Sequence, residues 1–301
     1  MTAAEQSSRT GFFQAVGAYF LWGFMPLFFK QLQSISALEV VSHRIIWSVG
    51  LLLIILWIRG QMAGFRKVIT TLATLKLMFL SAILIATNWL VYIWAVNNDQ
   101  ILAASLGYYL NPLVNVVLGF FFLKERLGPI QILAVILAAI GVSVLAFESL
   151  DTLWISFALA LSFSFYGLVR KMAPVASLEG LATETMLLLP VALGYAIWIY
   201  IYGNAPTFGS NTRTDIFLIM GGAVTAAPLL LFAAATKKLR YATIGFIQYI
   251  GPTIQFLLAI FLYEETLTTA HVICFSLIWL GLALYSGEAY MQSKREKAMP
   301  A

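Results

Sequence analysis

Charge is scarce in this sequence. Asp, Glu, Lys and Arg make up 10% of its 301 residues, while 61% are hydrophobic. Soluble domains carry roughly a quarter of their residues as charges, so an ordinary soluble fold is excluded. Cysteine occurs once, at Cys274, which excludes an internal disulfide and a cysteine-held metal cluster. Histidine occurs twice. There is no His-Glu-x-x-His motif, no Gly-Asp intramembrane pair and no ATP-binding loop. Ser42 and His43 are adjacent, and adjacent side chains on a helix do not face one another. The sequence therefore offers no catalytic residue, no metal ligand and no cofactor site. The net charge of +5 does not imply nucleic acid, because the basic residues are scattered through short loops.

Long apolar runs fill the sequence instead. A helix needs ~20 apolar residues to cross ~30 Å of hydrocarbon. Ten runs qualify: 11–29, 39–58, 75–96, 101–123, 129–147, 151–169, 179–202, 215–235, 241–263 and 270–287. The polar N-terminus, "MTAAEQSSRT", precedes an apolar run too long for a signal segment, so that run reads as a retained helix. With the N-terminus in the cytoplasm, 15 of the 18 Lys and Arg residues fall in cytoplasmic segments, as the positive-inside rule requires. Asp99, Glu148, Asp151, Glu264 and Glu265 then lie outside. The expectation is an all-α, multi-pass membrane protein with ten transmembrane helices and both termini cytoplasmic.

The runs repeat. Shifted by 140 residues, "YLNPLVNVVLGFFFLKERL" (109–127) lies on "YIGPTIQFLLAIFLYEETL" (249–267) without a gap. Tyr109 meets Tyr249, Pro112 meets Pro252, Glu125 meets Glu265, and further on Gly141 meets Gly281. The expected organisation is a five-helix repeat over 11–147, a second over 151–287 and a cytoplasmic tail over 288–301. An odd number of crossings per repeat inverts the second repeat relative to the first. Inverted repeats are the build of many secondary transporters, with the substrate site near mid-membrane where the halves meet.

The fourth run carries groups that lipid cannot satisfy. Ser105, Tyr108, Asn111 and Asn115 recur at spacings of three, three and four, one stripe on a helix. Gly245, Gln248, Gly251 and Gln255 repeat it in the ninth run. Pro112 and Pro252 have no N–H for the carbonyls of Tyr108 and Gln248. Irregular backbone at this depth is tolerated where it is buried or faces a water-filled cavity. The duplicated stripe points to a polar cavity, and helix-to-helix glue is the alternative for each residue. Asn88 and Tyr92 share a face of the third run. Tyr19 and Trp22 lie in the first, with Gly23 and Pro26 as hinge points. Trp22–Gly23 and Tyr166–Gly167 form a loose pair at an offset of 144.

Two charges fall inside runs. Arg44 is in the second, and Glu184 takes the matching place in the seventh. Intramembrane ionisable residues are functional candidates, and snorkelling or capping is the alternative for Arg44. Inversion puts the two at opposite surfaces, so they are not expected to pair. Glu184 is expected to be held by Thr183, Thr185 or loop bases. Glu125 and Glu265 are expected to be structural, ending their helices.

Ten spans in two repeats, Arg44 in the second span and the glutamate loops "LKERL" and "YEETL" resemble the EamA-type drug/metabolite transporters. "NWLVYIWAVNN", "ASLGYYLNPL" and "ERLGPIQ" are similar, more narrowly, to the RarD branch. The resemblance covers nearly the whole chain. It implies a bacterial inner-membrane protein with a cavity lined by the first, third, fourth, sixth, eighth and ninth spans. Carried over, that cavity includes Trp22, Asn88, Tyr92, Tyr108, Asn111, Tyr166 and Gln248, and Arg44 joins them as a substrate-binding candidate. The eighth span, "GGAVTAAPLLLFAAA", is smooth and small and departs from the pattern.

The functional expectation is an inner-membrane secondary transporter, exporting a small organic metabolite or drug by alternating access. The alternative is a membrane scaffold or assembly protein without transport, for which the loops are short. The implied partners are a small-molecule substrate and the lipid bilayer, without nucleic acid, the protein acting as a monomer or homodimer. The substrate is expected to be neutral, zwitterionic or weakly amphipathic. Arg44 meets a carboxylate only if the cavity reaches the outer end of the second span.

Overall fold

The structure is a computed structural model that describes residues 3–97, 100–147, 153–202, 207–262 and 268–298. Asp99, Glu148, Asp151, Glu264 and Glu265 lie outside these residues, as do the side chains of Ser105, Lys294, Arg295 and Lys297. Among the described residues all regular structure is helical. In chain order it comprises α1 (Ala3–Gly23), α2 (Met25–Phe29), a 3-10 turn (Lys30–Leu32), α3 (Ala37–Ile58), α4 (Met62–Thr70), α5 (Leu72–Asn97) and α6 (Ile101–Leu123). Then come α7 (Pro129–Phe147), α8 (Leu153–Met172), α9 (Ser177–Tyr202), α10 (Thr212–Thr236), α11 (Tyr241–Gln248), α12 (Ile250–Phe261) and α13 (Thr269–Ala298).

Among the described residues, eight segments are long and apolar enough to cross a membrane, the first continuing through α1, α2 and the 3-10 turn to Leu32. Large apolar side chains such as Trp57, Ile58, Phe121 and Val191 stand exposed, a surface that water penalises and lipid does not. This is a multi-pass membrane protein. One expected run takes another form. The ninth is split at Tyr249 into α11 and α12, because Pro252 cannot donate to the carbonyl of Gln248. The tenth run lies within α13. The break before Pro26 likewise separates α1 from α2.

Cross-links between loops fix which helix ends share a face. At the face where α1 begins, the Glu125 carboxylate accepts from the backbone N–H groups of Tyr241 (2.7 Å) and Ala242 (3.0 Å). Glu125 follows α6, yet it caps the N-terminus of α11, where unpaired N–H groups and the helix dipole favour an anion. Its side chain therefore serves another helix, while its backbone N–H donates to the carbonyl of Gly119 at 3.0 Å and helps to close α6. Lys124 takes the left-handed conformation (φ 55°) usual after a C-terminus. At the same face Lys171 of α8 donates to carbonyls ending α10, and Lys237 after α10 donates to carbonyls ending α8. At the opposite face Glu39 accepts from the N–H (3.2 Å) and hydroxyl (3.0 Å) of Thr207.

The main helix contacts are α3 with α9 and α10, α5 with α8, α6 with α8 and α11, α7 with α13, and α1 with α10 and α12. The α7–α13 crossing is held close by glycine. A methyl group on Gly141 would stand 3.0 Å from the carbonyl oxygen of Cys274, and one on Gly281 3.0 Å from that of Ala134. Small residues allow this approach, and lipid-embedded helices gain their attraction from it. Tyr109 and Tyr249 stack nearby, ring centroids 6.3 Å apart and planes 28° from parallel.

Candidate functional site

One cavity lies among α1, α2, α3, α5, α6, α8, α10, α11 and α12, with about 680 Å³ of empty space when the open solvent at its mouth is included. Its wall includes Tyr19, Trp22, Phe29, Arg44, Asn88, Trp89, Tyr92, Tyr108, Phe163, Gln248, Pro252 and Gln255. It runs from mid-helix toward the face where α2 ends and α3 begins. Phe29 is the last residue of α2, Arg44 lies in the first third of α3 and Tyr108 in the first third of α6.

Six of the eight candidate residues from the sequence are on this wall: Trp22, Arg44, Asn88, Tyr92, Tyr108 and Gln248. Asn111 and Tyr166 are not. Asn111 is fully buried at the α6–α8–α11 junction. Its amide nitrogen donates to the carbonyls of Ala160 (3.1 Å) and Gly107 (3.3 Å), and its oxygen accepts from Gln248 Nε2 at 2.6 Å, the orientation that satisfies both atoms. Gln248 Oε1 accepts from Asn115 Nδ2 (3.1 Å) and Tyr19 Oη (3.3 Å). The two polar stripes therefore meet each other. Their inner members bond helix to helix, while Tyr108, Gln248, Gly251 and Gln255 turn to the cavity. Asn88 does both: its nitrogen donates to Leu159 O (3.0 Å) and Ser162 Oγ (3.1 Å), and its side chain lines the wall.

Tyr166 belongs to a second cluster, between the cavity and the face where α1 begins. It stacks on Phe232 (6.0 Å, 17°), and its hydroxyl donates to Glu184 Oε2 at 3.4 Å. Glu184 also accepts from Ser81 Oγ at 2.6 Å and faces Arg170 Nη1 at 3.4 Å. Both members of this ion pair are 1% exposed. Thr183 and Thr185 do not hold Glu184; they donate to carbonyls of their own helix. Arg170, expected in a loop, lies on α8 in a notch left by Gly180, where a methyl group would come within 1.8 Å of its Nη1. Its basic neighbour Lys171 and its place at a run's end disguised it as a loop residue.

Arg44 has a different setting. Its Nε donates to Thr225 Oγ1 at 2.7 Å, and its guanidinium carbon lies 5.0 Å from the Phe29 ring centre and 5.1 Å from that of Trp89. Among the described residues no carboxylate lies within 4 Å of it. Thr225 was not legible in the sequence, because the eighth span shows no stripe. The wall holds no His, Cys, Asp or Glu, and no group of metal-ligating residues is found among the described residues.

A family model described as the EamA-like transporter family matches residues 9–147. An uncharacterized transporter of Pseudomonas aeruginosa is 43% identical over 97% of this chain and 98% of its own. Protein RarD of Escherichia coli is 43% identical over 96% of this chain and 98% of its own. A solved chain described as "Crystal structure of protein" has the same fold, with a TM-score of 0.70 at 17% identity over 96% of this chain and 99% of that one.

Proposed function

The chain belongs to the EamA-like transporter family, on the branch of the RarD proteins, and from that premise we propose that it is a secondary transporter moving a small organic solute by alternating access. The observation that carries this reading is a one-sided cavity. It reaches toward one face, while the path to the other is filled by Tyr166, Phe232, Tyr241 and the Arg170–Glu184 pair. A site open to one side and sealed on the other is one state of an alternating-access cycle.

The proposed architecture is ten crossings in two inverted repeats, 11–147 and 151–287. The contact pattern supports it, because exchanging each helix for its repeat partner returns the same pattern. The α5–α8 pair becomes α10–α1, α3–α10 becomes α9–α5, and α7–α13 returns to itself. The basic residues at the α1 face support a cytoplasmic N-terminus and C-terminus. The cavity then faces the outside of a bacterial inner membrane. The proposed direction is export, and the proposed binding residues are Trp22, Arg44, Asn88, Tyr92, Tyr108 and Gln248.

Flux of radiolabelled solutes into proteoliposomes of the purified chain, with and without ion gradients, tests the reading. Protein-dependent, saturable flux is expected. A folded protein that carries nothing, but captures a membrane partner, would put the scaffold reading in its place.

A further inference from the structure

The cavity wall is rich in donors and empty of acids. Arg44 is 6% exposed, yet among the described residues only its Nε has a protein acceptor, the Thr225 hydroxyl. A guanidinium has several further N–H donors and cannot shed its charge. Phe29 and Trp89 hold it from two sides, and such contacts orient an arginine without neutralising it. A methyl group on Gly221 would stand 3.1 Å from Arg44 Cγ, so the stem also has little freedom.

Tyr92 and Tyr108 line the same cavity, their ring centroids 5.6 Å apart. Both share the cavity wall with Arg44, and neither hydroxyl has a hydrogen-bond partner among the described residues. The contrast with the second buried arginine is sharp, since Arg170 has Glu184, the carbonyl of Ser177 and the notch at Gly180. A charge held in a membrane without a counter-ion is costly, and a carboxylate accepting charge-assisted bonds is the ligand that offsets the cost.

Resting on the transporter reading, we infer that Arg44, with the hydroxyls of Tyr92 and Tyr108, receives the carboxylate of the transported solute. The rest of the wall sets the remainder of that molecule. Trp22, Trp89, Phe163 and Ile85 offer an apolar, aromatic box, and Asn88 and Gln255 a few amide groups. The cargo is a small organic carboxylate with an apolar or aromatic body. A single cation suits a monoanion better than a phosphate dianion, and it repels permanent cations.

The test uses matched probes on the full-length protein: 3-phenylpropionate and its carboxamide, phenylalanine and its carboxamide, and phenyl phosphate. Equilibrium binding in detergent and flux in proteoliposomes are read side by side. At least one acid is expected to be preferred over its amide by on the order of 30-fold or more, with phenyl phosphate rejected. Arg44→Gln should erase that preference, and Arg44→Lys should keep part of it. Tyr108→Phe removes one hydroxyl and little volume. It should weaken acid binding by about 3- to 10-fold at an unchanged melting temperature, which covers the case in which Arg44→Gln fails to fold. Acid preference in binding without flux would leave the carboxylate site standing and sink the transport reading. Flux of amides and acids alike, or acid preference that survives Arg44→Gln, would leave transport standing and overturn the site. Absence of both binding and flux for every probe would overturn both.

Discussion

Tyr109 and Tyr249 lie 140 residues apart in the chain and stack with ring centroids 6.3 Å apart. Each is buried, and each hydroxyl lacks a hydrogen-bond partner among the described residues. The rings, not the hydroxyls, therefore carry the contact. Tyr109→Phe and Tyr249→Phe should leave thermal stability within about 1 kcal/mol of the parent or raise it, since an unpaired buried hydroxyl only costs desolvation. Tyr109→Ala should lose about 3 kcal/mol or more. A comparable loss in the phenylalanine variant would mean that the hydroxyl is bonded.

The α7–α13 crossing makes a paired prediction. Gly141 and Gly281 each face an opposing carbonyl at 3.0 Å from a methyl group in their place. Alanine at either forces the backbones apart by a few tenths of an ångström, an overpacking cost of about 1–3 kcal/mol, partly offset by alanine's better helix propensity. The two single variants should melt alike, and the double should lose less than their sum. One harmless and one severe alanine would contradict the reciprocal geometry.

Glu184→Gln leaves Arg170 charged and buried without its counter-ion. Breaking one side of such a pair costs about 3–5 kcal/mol. Replacing both, with Arg170→Met and Glu184→Gln together, should cost clearly less than the two single losses combined. A double-mutant cycle on melting in detergent reads the coupling. Strict additivity would mean that the 3.4 Å separation carries no interaction.

Glu125→Gln should weaken the N-terminal cap of α11 by about 1 kcal/mol and leave solute affinity unaltered, because Glu125 is remote from the cavity wall. An affinity loss at normal thermal stability is the contrary result.

Asn111→Ala removes the partner of Gln248 and of two carbonyls. It should cost about 1–3 kcal/mol and reduce the yield of folded protein, with transport per folded molecule nearly unchanged. A fully stable variant with weakened transport would place Asn111 in the binding site after all.

Periodicity made most of this molecule legible. The all-helical, membrane-spanning build and the meeting of two polar stripes follow from single-helix spacing, and Arg44 stood out because charge is rare in lipid. What spacing cannot reveal is the partner across a helix boundary. Nothing in "LKERL" says that Glu125 reaches the start of α11, and nothing in the smooth eighth span marks Thr225 as Arg44's acceptor. The amphipathic α4 was hidden among loop bases, although Phe65 and Val68, three apart, both turn inward. Asn111 shows the limit most clearly. Its stripe was read correctly as polar and paired, but whether a stripe faces water or another stripe depends on the rotation of two helices.

In the proposed alternating-access cycle, a motion that carries one proposed repeat into the other's place must leave some part of the molecule at rest. The contacts of α7 with α13, and of Tyr109 with Tyr249, would map onto themselves when the proposed repeats exchange. Such contacts are the natural fulcrum. Spin labels flanking the α7–α13 crossing should hold one distance through a transport cycle, while labels on α3 and α10 beside Arg44 and Thr225 should report two. The glycines that bring α7 and α13 together would then serve as a bearing, and the wear of each cycle would fall on the charged ends.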